Sequence, residues 1–236
     1  MRGFDLHAQG SLLTAVGKYP SLPVVHAQPH PVGFGAHVEH GRAHFFDAEP
    51  ARRAPQLAAL LLEFRPDSAV VFCNMRRDTE EVVGSLAHYG FTALALHGDM
   101  EQREREEVLV RFANRSCTVL VASDVAARGL DIDDIGAVIN YELPTDADTY
   151  LHRVGRTGRA GRKGLALSLV AASERNRASL IEERQGQPIR FERIDALAGK
   201  PSGVPQAAMA TLRIDGGRAD KLRPGDIVGA LTGDAG

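Results

Sequence analysis

The 236-residue chain balances 28 Lys and Arg against 30 Asp and Glu, for a formal net charge of −2, and is 44% hydrophobic and 6% aromatic with no Trp. It has room for one full domain with appendages or two small domains, with a core packed mainly by Val, Leu and Ala, but no global basic field, so any polyanion site must be a local arginine cluster. No segment is long and apolar enough to span a membrane, and Ser11 to Val16 is too short and mixed for a secretory signal, so a cytoplasmic protein is expected.

Residues 1 to about 35 contain Pro20, Pro23, Pro29 and Pro31 among scattered Gly and His, with no sustained period. An irregular leader is expected over residues 1–44. His26, His30, His37, His40 and His44 have no Cys or carboxylate framing them at ligand spacing, so they read as solvent-exposed histidines and no metal site is expected. Leu57, Leu60, Leu61 and Phe64 then recur at helical spacing before Pro66. The continuous apolar run 69–73 suits a strand buried on both faces. Asp78 or Thr79 caps a helix carrying Val82, Val83, Leu86 and Tyr89, with Gly90 at its end. A short strand at 93–96 leads into His97-Gly98-Asp99, and a charged helix follows from Glu101 to about Ala113. Strands are predicted at 118–122, 137–141 and 165–170, helices at 147–154 and 173–183, and a last short strand at 189–191. Cys73 and Cys117 lie in or beside apolar runs without metal spacing and read as buried thiols, not as a disulfide.

Strands alternating with helices and no obvious hairpin predict an α/β fold: a parallel sheet over residues 45–198, covered by helices on both faces. Ligands gather at the carboxyl ends of such strands. The polar loops 74–77, 97–99, 123–131 and 155–159 can share that edge. Gly199-Lys200-Pro201-Ser202-Gly203 marks a linker, taken as 199–208. In the stretch 209–236, residues 210–214 form a strand and Pro224 opens a short helix reaching Leu231, too little to bury an independent core.

Three sets of residues carry candidate chemistry. Arg153, Arg156, Arg159 and Arg162 alternate with Gly155, Gly158 and Gly161. A solvated basic turn would hold the same arginines, but the glycines let backbone approach a ligand closely and guanidinium planes match phosphate oxygens. Asp131 follows the turn Arg128-Gly129-Leu130 and could accept from ribose hydroxyls; a cap or turn residue is an equal reading on spacing alone. Gln102 and Arg105 lie on the first turns of a helix preceded by Gly98, a plausible phosphate-backbone site. Taken alone, that helix reads first as a charged surface helix.

Taken together, these loops resemble the ordered motifs of DEAD-box RNA helicases. The resemblance rests on Val71-Phe72-Cys73-Asn74, on His97-Gly98-Asp99 with Gln102 to Arg105, on Ser123 to Ile132 and on His152 to Gly161, in family order and at family intervals. It covers roughly residues 45–195, the second RecA-like domain. Residues 209–217 and 223–234 resemble the opening of the RNA-binding domain of DbpA-type helicases, an RRM-like appendage expected to be truncated here.

The resemblance implies roles for individual residues. Arg156 and Arg159 would be arginine fingers on the γ-phosphate of ATP, with His152 coupling that site to the first domain. Asp131, with Gly129 beside it, would contact the ATP ribose. Asn74, Gly98, Gln102, Arg105, Ser123 and Asp124 would hold the RNA sugar-phosphate backbone, the expected RNA being large-subunit ribosomal RNA. Met75 stands where the family usually has Thr and removes a hydroxyl; Ser123 replaces a usual Thr and keeps one.

The 236 residues contain no Gly-x-x-x-x-Gly-Lys-[Ser/Thr], no Asp-Glu-Ala-Asp and no Ser-Ala-Thr. The phosphate cradle and the carboxylates that hold Mg2+ are therefore expected on a first RecA-like domain acting in cis or in trans. The expected function is the RNA-binding and arginine-finger half of an RNA-stimulated ATPase that remodels ribosomal RNA, inactive alone. A non-enzymatic RNA-binding fragment is the first alternative and a DNA translocase domain the second.

Overall fold

The structure is a computed structural model that describes residues 12–16, 42–127, 135–158, 164–194 and 203–214, together with 220, 221, 223, 225–227, 229 and 233. Its elements run β1 (Leu12–Val16), β2 (Arg42–Asp47), α1 (Arg53–Phe64), β3 (Ala69–Cys73), α2 (Arg76–His88), β4 (Ala93–Leu96), α3 (Gln102–Ala113), β5 (Val119–Ser123), α4 (Asp124–Ala127), β6 (Ala137–Asn140), α5 (Ala147–Val154), β7 (Leu165–Val170), α6 (Arg175–Gln185), β8 (Phe191–Arg193) and β9 (Met209–Arg213). Two compact units result: Met1–Gly35 with Ala208–Gly236, and Ala36–Ala207. In the first, β1 pairs in parallel with β9, Leu12 opposite Met209.

The second unit is built on a seven-stranded sheet of order β4-β5-β3-β6-β7-β2-β8. Its pairings are parallel, with Cys73 opposite Ser123 and Phe72 opposite both Ala122 and Asn140. Successive side chains of a strand leave opposite faces, so each continuous apolar run serves two cores. Val71, Val121, Ile139, Leu167 and Leu169 pack on one face against Leu57, Leu60 and Leu61 of α1 and Val82 and Leu86 of α2. Val70, Phe72, Leu120, Ala122 and Val138 meet Val108 and Phe112 of α3 on the other. On that same side Ala166 and Val170 meet Tyr150 and Val154 of α5 and Ile181 of α6. Each fully buried leucine of α1 contributes roughly 1.5–3 kcal/mol. From β3 the chain moves out to β4, returns to β5 and crosses over to β6. The winding therefore reverses at β3, and the ends of β5, β3 and β6 frame the crevice where such sheets bind ligands.

Several elements differ from their sequence-based bounds for local reasons. The predicted leader contains β1 and the start of β2, Arg42 to His44. The apolar pair Phe45-Phe46 inserts β2 between β7 and β8. His44 there is not a loose histidine: its ring stacks near Phe46 and Phe64, and its Nδ1 lies 2.7 Å from Glu192 Oε1. His26, His30, His37 and His40 lie outside the described residues. Helix α2 begins at Arg76 because Thr79 is buried inside it, its hydroxyl donating to the Arg76 carbonyl, and is not its cap. β8 starts later than predicted because Phe191 pairs with Phe45. Within the predicted linker, the Gly203 carbonyl accepts from Arg65 at 3.1 Å and Val204 packs against the α1–α2 core. Of the predicted helix from Pro224, residues 225–227 and 229 are helical.

Both cysteines are buried free thiols. Burial, with Glu142 and Asp78 nearby, raises the Cys73 thiol far above its ordinary range. Burial also pushes Cys117 from 9.0 up to about 11. A raised value means that the native state holds the proton more tightly than the unfolded chain does. The resulting stability is fully present below pH 9.0 and is lost as pH rises toward about 11. Urea unfolding across that range should show stability declining, with a smaller decline in Cys117→Ala, and a thiol reagent at about pH 8 should label neither cysteine until the chain is unfolded.

Candidate nucleic-acid interface

Arg153 fills the crevice framed by β5, β3 and β6. The Asp146 carboxylate caps α5 by accepting from the Thr149 N–H at 2.7 Å. Tyr150 and Val154, four residues apart, fix the buried face of α5, and Arg153 between them leaves only 2% of its side chain exposed. Its Nε and Nη2 donate to the two carboxylate oxygens of Asp124, each at 2.7 Å. Nη1 donates to Asn140 Oδ1 at 3.1 Å and to the Glu142 carbonyl at 2.8 Å. Nη2 also reaches Asn74 Oδ1 at 2.8 Å, and the guanidinium lies 5.1 Å from the Phe72 ring centroid. One cation thus joins the residues that end or follow β3, β5 and β6. The Asn140 amide continues to Ser168 on β7 at 3.1 Å, and the Asn74 amide donates to the Leu143 carbonyl at 3.0 Å.

A second ionic group extends this edge toward β7. The Glu142 carboxylate accepts from the Asn74 N–H at 3.1 Å and lies 3.5 Å from Arg53. Arg53 bonds to Glu174, both buried, and Glu174 accepts the N–H groups of Leu143 at 3.2 Å and Ala171 at 2.8 Å. That last contact explains why a 3₁₀ turn, Ala172–Glu174, precedes α6.

At the outer strands, Gly98 follows β4 and a Cβ there would lie 4.0 Å from Val125 on α4. Helix α3 opens with Glu101 donating its N–H to the Glu104 carboxylate at 3.2 Å, one half of a capping box. Arg105 reaches across to the Ala126 carbonyl at 3.3 Å, joining α3 to α4. Gln102 donates to Glu106 at 2.9 Å. Past α5, Thr157 donates to the Ile135 carbonyl at 2.5 Å, and Gly158 has φ +74°. A Cβ on Gly164 would come within 2.5 Å of the Gly158 nitrogen, so the loop carrying Arg156 closes on a position that only glycine fits.

The structure therefore gathers Asn74, Gly98, Gln102, Arg105, Ser123 and Asp124 on one edge of the sheet. The side chains of Asn74 and Asp124 are engaged inward. Arg156 is half-buried and His152 exposed at the end of α5. Gly129, Asp131 and Arg159 lie outside the described residues. Sequence reasoning missed Arg153, grouping it with the loop arginines as phosphate-directed. Its signal was position: it falls beside Tyr150 and Val154 on the inward side of a short helix.

A doubly wound parallel sheet with its polar loops on the carboxyl edge and an arginine–glycine loop after the penultimate core helix is a RecA-like domain. Residues 53–161 match the family described as helicase conserved C-terminal domain, and residues 211–236 match the DbpA RNA binding domain. The ATP-dependent RNA helicase DbpA of Escherichia coli (strain K12) is 47% identical over 192 residues, 81% of this chain but 42% of the relative's own length. Among solved structures, the E. coli DEAD-box protein SrmB bound to regulator of ribonuclease activity A superposes with a TM-score of 0.63 at 35% identity, covering 71% of this chain and 100% of that one. S. cerevisiae Dbp5 bound to RNA and ADP BeF3 gives 0.61 at 31% identity, over 66% of this chain and 42% of that one. The chain belongs to the DEAD-box helicases, as a C-terminal RecA-like domain of the DbpA type with DbpA RNA-binding sequence after it.

Lys in place of Arg153 would keep the charge and lose the planar fork that serves Asp124, Asn140 and Asn74 together. Arg153→Lys should lower unfolding free energy by about 3 kcal/mol, the scale of a broken buried ion pair. The check is the urea midpoint, with Arg103→Lys on the exposed face of α3 as the neutral control.

Proposed function

We propose that this chain supplies the RNA-binding and arginine-bearing wall of a DEAD-box ATP-dependent RNA helicase, whose opposing wall is a first RecA-like domain in cis or in trans. The observation that carries the reading is the contact from Arg105 to the Ala126 carbonyl, which brings α3 and the Ser123-Asp124 turn together beside Gly98. In this reading Arg105, Gln102 and Gly98 face the RNA phosphates. Ser123 offers a hydroxyl, and Asn74 and Asp124 contribute through the backbone that Arg153 holds in place. The RNA is of the large-subunit ribosomal kind, and the setting is cytoplasmic ribosome assembly.

The residues after α5 fit a nucleotide phosphate by the chemistry of their donors: the Arg156 guanidinium, on a loop whose Gly158 and Gly164 keep backbone close. Arg156 and Arg159 serve the γ-phosphate of ATP, Asp131 and Gly129 its ribose, and His152 the first domain. Bound ATP supplies the free energy that holds the two domains closed on RNA. Mg2+ is assigned to the first domain. Among the described residues no three His, Cys, Asp or Glu side chains gather as a metal site, and Asp124, Glu142 and Glu174 are committed to Arg153 and Arg53.

Arginines on a transferring phosphoryl group are worth about 10³–10⁵ in rate, but only where the phosphate is already cradled. The purified chain should therefore show no RNA-stimulated phosphate release from ATP, yet bind single-stranded RNA weakly and with steep salt dependence. Fluorescence anisotropy and a phosphate-release assay check both halves. RNA-stimulated hydrolysis by the chain alone, abolished in Arg156→Ala, would overturn the reading, as would equal affinity for RNA and DNA of the same sequence.

A further inference from the structure

We propose that Asp99 is a built-in competitor for RNA: it holds Arg76 where a phosphate would, and RNA binding moves Arg76 from Asp99 to the RNA backbone. This rests on the RNA reading above and adds a ligand and a regulation to that site. Arg76 opens α2 two residues after Asn74, and Asp99 follows Gly98. Their ion pair spans from the end of β3 to the end of β4, past the end of β5 that lies between them. It thus lies among the residues assigned to RNA.

Three features set Arg76 apart from an ordinary surface arginine. A cation in the first turn of a helix opposes the helix dipole, so Arg76 does nothing for α2 itself. The side chains of Arg76 and Asp99 are 56% and 62% exposed, and water screens such a pair, so exchanging Asp99 for another anion loses little. A phosphate offers the same paired oxygens with more charge. One helical turn further on, Glu80 lies 3.1 Å from His97. That contact keeps the β4–α3 loop on α2 when Arg76 changes partner.

The test measures binding of a fluorescein-labelled single-stranded oligouridylate to the full chain at several KCl concentrations, with thermal melting confirming the fold of each variant. Arg76→Ala should weaken binding about 3–10-fold and make the salt dependence shallower by about 0.7. Asp99→Asn should tighten binding about 3–10-fold, and this gain should vanish in the Arg76→Ala background. Equal tightening in both backgrounds would reduce Asp99 to a general repulsive charge and overturn the proposal, as would an Arg76→Ala variant with unchanged affinity and slope. Arg105→Ala separates the two levels. If it weakens binding while the Arg76 and Asp99 variants do nothing, only this inference fails. If it too is silent, or the chain binds no RNA, the RNA reading fails and this inference with it.

Discussion

The carboxyl edge of the sheet depends on one buried guanidinium. Only 2% of the Arg153 side chain is exposed, and a buried charge stripped of its partners costs about 3–5 kcal/mol, a large share of a domain's stability. It is tolerated because its donors meet Asp124, Asn140, Asn74 and the Glu142 carbonyl, which end or follow the three strands β5, β6 and β3. The bonds run both ways: the strand ends hold Arg153, and Arg153 fixes where those ends stop and turn. Ser123, beside Asp124, is thereby placed by Arg153.

Charge alternates beyond that point. Arg153 bonds the Glu142 carbonyl, the Glu142 carboxylate lies beside Arg53, and Arg53 bonds Glu174. Buried polar networks are costly when partly satisfied and rigid when complete. This one crosses from β5 to the end of β7 and tethers the turns leading to α5 and α6. Arg156, after α5, is thus mounted on the same frame as the turns that follow β3 and β5. In the proposed reading, that arrangement gives a physical route by which a nucleotide on one side and RNA on the other bear on the same residues.

The strands buried on both faces were legible because they are short continuous apolar runs, and α3 was legible from its charge and its Val108 and Phe112. β2 was not. It sits near the sheet's edge, carries one apolar pair, and hides His44 in an aromatic stack that composition does not reveal. Family resemblance singles out Asn74 and Asp124 but not their inward engagement, because that depends on Arg153, 79 and 29 residues away in sequence. Arg153 itself reads as one more arginine in a basic run until the face of α5 is known.

The central claim is that RNA lies along the carboxyl edge of the sheet, on turns held by Arg153. Amide NMR spectra of the isotopically labelled chain, recorded as single-stranded RNA is added, test it most directly. The account predicts shifts clustered at residues 74–77, 97–105 and 123–127, with the opposite edge, including 65–68 and 114–118, unmoved. Shifts confined to residues 209–236, or to that opposite edge, would contradict it.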